Sequence, residues 1–312
     1  MPFRVPVLSG EEVQSLTACS FHSAVAKVLN LLFGTRLTSW DLECAVGRYP
    51  VRLKTLGRKT MACALWHNPR GDASWLLDSA AGLLPAEYTG REEGSWLDVG
   101  IRMALMAGIV SLLRAENRLS DGETVDISLT SGDFSGVMGA FYAKKLGLPI
   151  GKIICCCDED AALWDLVHQG QLRTDRVSPK TDIPKDDLLP VGLERFVYEC
   201  GGHGEVERYL NALRRGGMYE PDDGTLEVMR SALHVSVVGR DRVAATVPKV
   251  FSSQGYVLPP YGALAYAGLQ DHRVISGERN PALVLSETSP MCYAQATANA
   301  LGIPVEELNR YI

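Results

Sequence analysis

Small and polar side chains crowd one stretch of the 312-residue chain, Thr130-Ser131-Gly132-Asp133-Phe134-Ser135-Gly136. Placed between a strand and a helix, such residues let backbone N–H groups converge at the helix N-terminus, where unsatisfied donors and the helix dipole favour an anion. A phosphate suits that arrangement. A purely structural turn of the same kind is common in α/β proteins, and the Asp133 carboxylate could cap the helix and occupy the donors that a phosphate would use. Neither GxGxxG nor GxxxxGK[ST] occurs, so a dinucleotide or a nucleoside triphosphate is not indicated. Six histidines lack paired spacings and there is no CxxC, which leaves no expected metal site. Eight cysteines form no framework, and Cys155-Cys156-Cys157 read as a buried, reduced strand.

The elements that must position the turn form a βαβ unit. An alternating run over Val125 to Leu129 predicts a strand, apolar residues at helical spacing predict a helix from Phe134 to Leu146, and Lys152 to Cys157 predicts a strand covered on both faces. Further strands are expected at His234 to Val238 and Ala282 to Ser286. The expected fold class is therefore α/β, with a mainly parallel twisted sheet and helices on both faces. Residues 1–60 read as an N-terminal helical segment: one pattern runs from Glu11 to Leu32 with a break near Ser20, and Ser39 is placed as the N-cap of another. Trp96 to Glu116 predicts a long helix buried against the sheet. Asp158 can cap a helix from Glu159 to His168, where His168 is a surface residue. Residues 172–189 are polar and contain Pro179 and Pro184, which predicts a long loop. A helix over Gly192 to Glu199 should be stopped by Gly201-Gly202. The net charge of −6 and pI near 5.6, without a Lys/Arg cluster, argue against nucleic-acid or anionic-membrane surfaces. The first residues lack an apolar signal core and the run Met103 to Leu113 is too short for a bilayer, so a cytoplasmic protein is expected.

The segment TSGDFSGVMGAFYAKKLGLPIGKII resembles PSGNFGN…AGYYAKKMGLPI…KLI of threonine synthase, a fold-type II pyridoxal-phosphate enzyme family. Ser178-Pro179, Asp182-Ile183 and Leu193-Glu194-Arg195-Phe196 resemble that family's SP…MDI…NFERLLF, and Leu65-Trp66-His67-Asn68-Pro69 resembles LFHGP. The resemblance implies the large domain of such enzymes over residues 61–312. It also implies that Ser131, Gly132, Asp133, Phe134, Ser135 and Gly136 cradle the cofactor phosphate. Ser286-Glu287-Thr288-Ser289-Pro290 corresponds to the family's STAHP, whose hydroxyls lie near the pyridine nitrogen, so Thr288 or Ser289 takes that role. A strand-to-helix cap accounts equally well for Ser289-Pro290.

Two departures bear on chemistry. In LFHGPTLAFKD the lysine forms the Schiff base, and that position falls here on Ser74, which cannot condense with an aldehyde. Met61 to Trp66 reads as a strand, and Lys54 and Lys59 lie upstream of it rather than in the turn after it. The family also carries a small α/β lobe with an SGDTG turn, and nothing between residues 75 and 93 resembles it. No catalytic residue is therefore assigned. Three readings stand: a degenerate threonine synthase-like protein holding a small phosphate-bearing ligand, with any pyridoxal phosphate bound non-covalently; a working threonine synthase converting phosphohomoserine to threonine; and a ligand-free scaffold. A homo-oligomer, or a partner chain supplying the lobe, is open.

Overall fold

The computed structural model describes residues 5–88, 95–132, 134–158, 162–173 and 190–312. Asp133, the start of the helix expected at Glu159, and the Ser178-Pro179 and Asp182-Ile183 motifs lie outside the described residues.

Helices α1 (Gly10–Thr17), α2 (Phe21–Phe33) and α3 (Ser39–Val46) precede strands β1 (Arg52–Gly57) and β2 (Thr60–Ala64). The break near Ser20 arises because Ser20 accepts a hydrogen bond from Ser23 N and so caps a new helix, and Gly34, at φ 66°, ends it. The cap of α3 is Thr38 rather than Ser39. Thr38 accepts from Asp41 N while Asp41 reaches back to the Thr38 amide, a reciprocal capping box that Ser39 is one residue too late to form. Helices α4 (Ala73–Ala81) and α5 (Trp96–Ala115) lead to β3 (Val125–Thr130), α6 (Phe134–Leu146) and β4 (Ile150–Cys157). The short α7 (Ala162–Trp164) runs into a wider turn at Asp165–Gln169, where His168 is exposed and stacks on Trp164. A two-residue strand β5 (Leu172–Arg173) pairs with β6 (Met218–Tyr219) on either side of α8 (Leu193–Arg215). At Gly202 the backbone leaves the helical region (φ 77°, ψ −167°), so α8 is two helical stretches divided where the stop at Gly201-Gly202 is expected. The chain closes with α9 (Asp223–Ala232), β7 (His234–Val237), α10 (Arg240–Gln254), α11 (Pro260–Ser276), β8 (Ala282–Ser286) and α12 (Ala294–Leu301).

The main sheet has the order β1-β2-β8-β3-β4-β7. Only the edge pair β1/β2 is antiparallel; the other four pairings are parallel. Strand alternation divides the core in two. Met61, Cys63, Ile153, Cys155, Leu283 and Leu285 face one layer, built from α2, α5 and α6. Ala62, Ile154, Cys156 and Val284 face the other, built from α10 and α11. The triple cysteine is thus a buried strand whose members alternate between layers. By length and composition α5 could cross a membrane, but 89% of its apolar window is buried inside this fold. Its all-round hydrophobicity follows from burial on every side.

At the amino ends of the strands, three imidazoles gather on β7, α11 and the turn after α7. His234 lies 4.4 Å from His272 and 6.2 Å from His168, ring to ring, and His272 Nε2 is 3.3 Å from Glu278 Oε2. Burial, then the neighbouring His272, His168 and Lys152, pull the His234 pKa down to about 4, against an opposing effect of Glu278. A histidine held neutral in the fold binds fewer protons than in the unfolded chain. Its contribution is complete above about pH 6.5 and is lost as pH falls from there toward 4. Because His234 is only half-buried and water screens part of the effect, urea unfolding should lose on the order of 2 kcal/mol across that window, less than the full shift would give. His234→Asn should flatten the loss, and an unchanged slope would refute the assignment.

A cavity at the carboxyl ends of β3 and β8

Because β3 and β8 are parallel neighbours, with Ser128 opposite Val284, their carboxyl ends emerge together. In open α/β sheets that edge is where ligands bind. The loop after β8 is pinned by the loop after β2: Leu65 N donates to Ser286 O, Ala73 N to Glu287 O and Ser289 N to Gly71 O, at 2.7–2.9 Å. Asp72 and Thr288 form an isolated antiparallel bridge. Trp66 Nε1, 3.3 Å from Ser286 Oγ, adds a side-chain tie. The result fixes Glu287 and Thr288 against the end of β3.

Between them lies a cavity of about 260 Å³. Leu129 and Leu285 form its apolar floor, with the hydroxyls of Thr130 and Thr288 beside them. Tyr261, in the first turn of α11, and Tyr293 close it, meeting edge-on at 5.3 Å. Gly132 and Glu287 complete the wall. Burial and the neighbouring Tyr261 push the Tyr293 hydroxyl pKa up.

Glu287 is held from behind. Arg102 on α5 donates through Nη1 to Glu287 Oε1 at 2.7 Å, and its Nε lies 3.5 Å from Oδ2 of Asp98, which is fully buried one turn earlier. Helix α6 leaves room for this guanidinium by carrying glycines on the contacting face. A Cβ at Gly139 would stand 2.7 Å from Arg102 Cβ, and one at Gly136 would stand 3.5 Å from Glu287 Oε1 and 3.6 Å from Arg102 Nη1. The tightest contact for a Cβ at Gly136 is Leu129 Cδ1 at 3.2 Å, with the ion pair at ordinary van der Waals distance beside it.

The sequence-expected residues separate accordingly. Gly132 and Thr288 face the cavity together. Ser131 is half-buried beside it, its amide donating to Cys156 O at 3.1 Å. Phe134 packs on Phe196 in the core, Ser135 is buried in the first turn of α6, and Gly136 backs onto Arg102 and Glu287. Ser289 is resolved as a cap: its hydroxyl accepts from Met291 N at 3.2 Å, starting the 3-10 turn Pro290–Tyr293. Tyr261, Tyr293, Leu129, Leu285 and Glu287 had no such role in the sequence reading. Glu287 was visible inside the Ser286–Pro290 motif, whereas nothing local marks two tyrosines 32 positions apart as neighbours.

Gly132 is exposed, its φ lies outside the left-handed region, and a Cβ there would meet nothing within 4 Å. Neither backbone strain nor crowding by the chain demands glycine at this position, which fits close approach by a ligand. The amine needed for an aldehyde is another matter. Among the described residues no lysine lines the cavity. Ser74 is the second residue of α4, its hydroxyl and amide both donating to the cap Asp72. Lys59 sits in the β1–β2 turn, 3.2 Å from Glu123, next to Thr60, which opposes Ala282 at the amino end of β8. Lys54 is exposed on edge strand β1.

The fold agrees with the comparisons. The solved PLP-bound threonine synthase from Brucella melitensis superposes with a TM-score of 0.77 at 16% identity, over 97% of this chain and 85% of that one. Threonine synthase from yeast gives 0.78 at 15%, over 98% and 87%. In sequence, human threonine synthase-like 1 is 26% identical over 202 residues, 63% of this chain and 26% of that protein. Saccharomyces cerevisiae threonine synthase is 24% identical over 200 residues, 58% and 38%. The chain is threonine synthase-like. No family model matches it. The match to these two curated relatives spans only about a quarter to two fifths of their length. Measured against a pyridoxal-phosphate requirement, the threonine synthase-like cavity offers an apolar slot, hydroxyls and an open glycine turn, but no lysine among its described lining. Among the described residues the lining offers hydroxyls and an open glycine turn to a phosphate, and no amine to an aldehyde.

Proposed function

We propose that this threonine synthase-like chain binds a small phosphate-bearing molecule in the cavity at the ends of β3 and β8, without the lyase chemistry of a threonine synthase. The phosphate sits against the turn at Ser131 and Gly132, and Thr288 faces the body of the ligand. Pyridoxal phosphate, if it enters, is held without a covalent bond. The observation that carries this reading is the combination of an unobstructed Gly132 with a lining that holds no lysine among the described residues. When bound in a lyase, the cofactor supplies an electron sink tethered through a lysine amine. Here the corresponding turn carries Ser74, whose amide and hydroxyl both donate to Asp72, the cap of α4. The family's lysine is absent from the aligned position, so the residues present can bind, orient and partly enclose a ligand.

Borohydride treatment of protein saturated with pyridoxal phosphate, followed by peptide mass analysis, tests this. No pyridoxyl peptide is expected. A stoichiometric adduct on a single lysine, Lys180 or Lys185 included, would overturn the proposal and favour a working threonine synthase.

A further inference from the structure

Lysines at the surface of this chain reach for oxygen: Lys59 pairs with Glu123, Lys145 with Glu199, and Lys144 donates to Gly151 O. Lys27 does not. From the second turn of α2 its ammonium donates to Cys19 Sγ at 2.9 Å, and among the described residues this is the ammonium's one polar partner. Glu11 and Glu12 line the same open cavity of about 370 Å³ as Lys27, but the capping box of α1 turns Glu12 to the Ser9 amide. Cys19 is held from the other side. It follows the C-cap of α1, its thiol donates to Ser15 O at 3.1 Å, and its carbonyl accepts from Ser111 Oγ on α5. The corner between α1 and α2 thus fixes a half-exposed sulfur against an amine carried on a flexible four-carbon arm. Among the described residues the other cysteines differ. Cys63, Cys155, Cys156 and Cys157 are buried, and Cys44 and Cys292 are exposed without a lysine contact. Burial, then Glu199, push the Cys200 thiol up to about 12, and Lys145 near it is taken by Glu199.

We infer that Cys19 and Lys27 are a modification site, at which a peroxide joins the two side chains through a sulfur–nitrogen bond. The peroxide oxidises the thiol by two electrons: one of its oxygens passes to sulfur, giving a sulfenic acid, and the other leaves as water. The Lys27 amine, having lost its ammonium proton to solvent, then attacks that sulfur. The N–S bond forms as the S–O bond breaks, and the oxygen departs with one amine proton as a second water. Sulfenic acids condense in this way with a backbone nitrogen, and here a side-chain amine is already in contact. The bond spans eight positions and staples the end of α1 to α2. Two equivalents of a thiol reductant reverse it, returning thiol and amine and leaving a disulfide of the reductant. The site shares no lining residue with the cavity at the ends of β3 and β8, so it stands apart from the phosphate-binding reading.

Hydrogen peroxide is the probe, applied to the whole folded chain at mildly alkaline pH, with free thiols then alkylated and the protein digested by trypsin without reductant. Trypsin cuts after a free lysine, so the untreated chain gives a peptide that ends at Lys27. The bridged chain should instead give one peptide from Val5 to Arg36, lighter by two hydrogens than the same stretch with a free thiol and amine. Dithiothreitol added before digestion should restore cleavage after Lys27. Lys27→Arg, at an exposed position, should abolish the bridged peptide and let dimedone trap the sulfenic acid on Cys19. Loss of two hydrogens with cleavage after Lys27 intact would place the bond on a backbone nitrogen and overturn the inference. Oxidation of Cys19 to a sulfinic acid with Lys27 free would overturn it too, as would a Cys19 thiol that stays reduced.

Discussion

Arg102→Met should destabilise the protein by about 3–5 kcal/mol, read as a shift of the urea unfolding midpoint. The reason is the company the guanidinium keeps. Asp98 is fully buried, Glu287 is largely so, and Arg102, itself 7% exposed, lies between them at 3.5 and 2.7 Å. Methionine restores most of the volume, so the loss isolates charge from packing. Taking away one member of a buried ionic set leaves the others desolvated, which is why breaking such a set costs far more than forming it returns. Double replacement of Arg102 by Met and Asp98 by Asn should recover part of the loss, whereas simple addition of the two effects would show that the residues are not coupled.

Gly132→Asp is expected to have the largest effect on binding and almost none on folding. The position is exposed, its backbone is available to any L residue, and a Cβ meets nothing within 4 Å, so stability should change by less than about 0.5 kcal/mol. The new carboxylate, however, enters the wall where the phosphate is placed, without a described lining cation to offset it. Affinity for inorganic phosphate should fall by two orders of magnitude or to nothing, as expected for roughly 3 kcal/mol of like-charge repulsion in a partly enclosed site. Unaltered phosphate binding by Gly132→Asp would place the anion elsewhere.

The sequence made the architecture legible wherever period and punctuation agreed. Val125–Thr130, Phe134–Leu146 and Ile150–Cys157 combine strong apolar patterns with glycine and proline stops, and the structure has all three elements within two residues of their expected bounds. Helix α11 was not legible, because PYGALAYAGLQDHRVIS packs across the β3, β4 and β8 face and places small residues where an amphipathic stripe would be read. Strand β1 was missed because it is a polar edge strand, with Arg52, Lys54 and Thr55 exposed. At the site, Gly132 and Thr288 could be found from motif order alone. Their neighbours Tyr261, Tyr293 and Leu285 come together through the sheet order β8-β3-β4, which places late sequence beside the central βαβ unit. Gly136 illustrates the converse: its type fitted a phosphate cradle, but its surroundings are Leu129, Arg102 and Glu287, all contributed by other elements.

Calorimetric titration of inorganic phosphate into the native chain tests the central claim most directly, since it asks for the anion without the aldehyde, the amine or the ring. The account predicts saturable binding with one site per chain, weakened or abolished by Gly132→Asp with no change in thermal stability. A folded native protein that gives no saturable binding up to tens of millimolar phosphate would contradict it, and would leave the cavity at the ends of β3 and β8 as a relic of the fold.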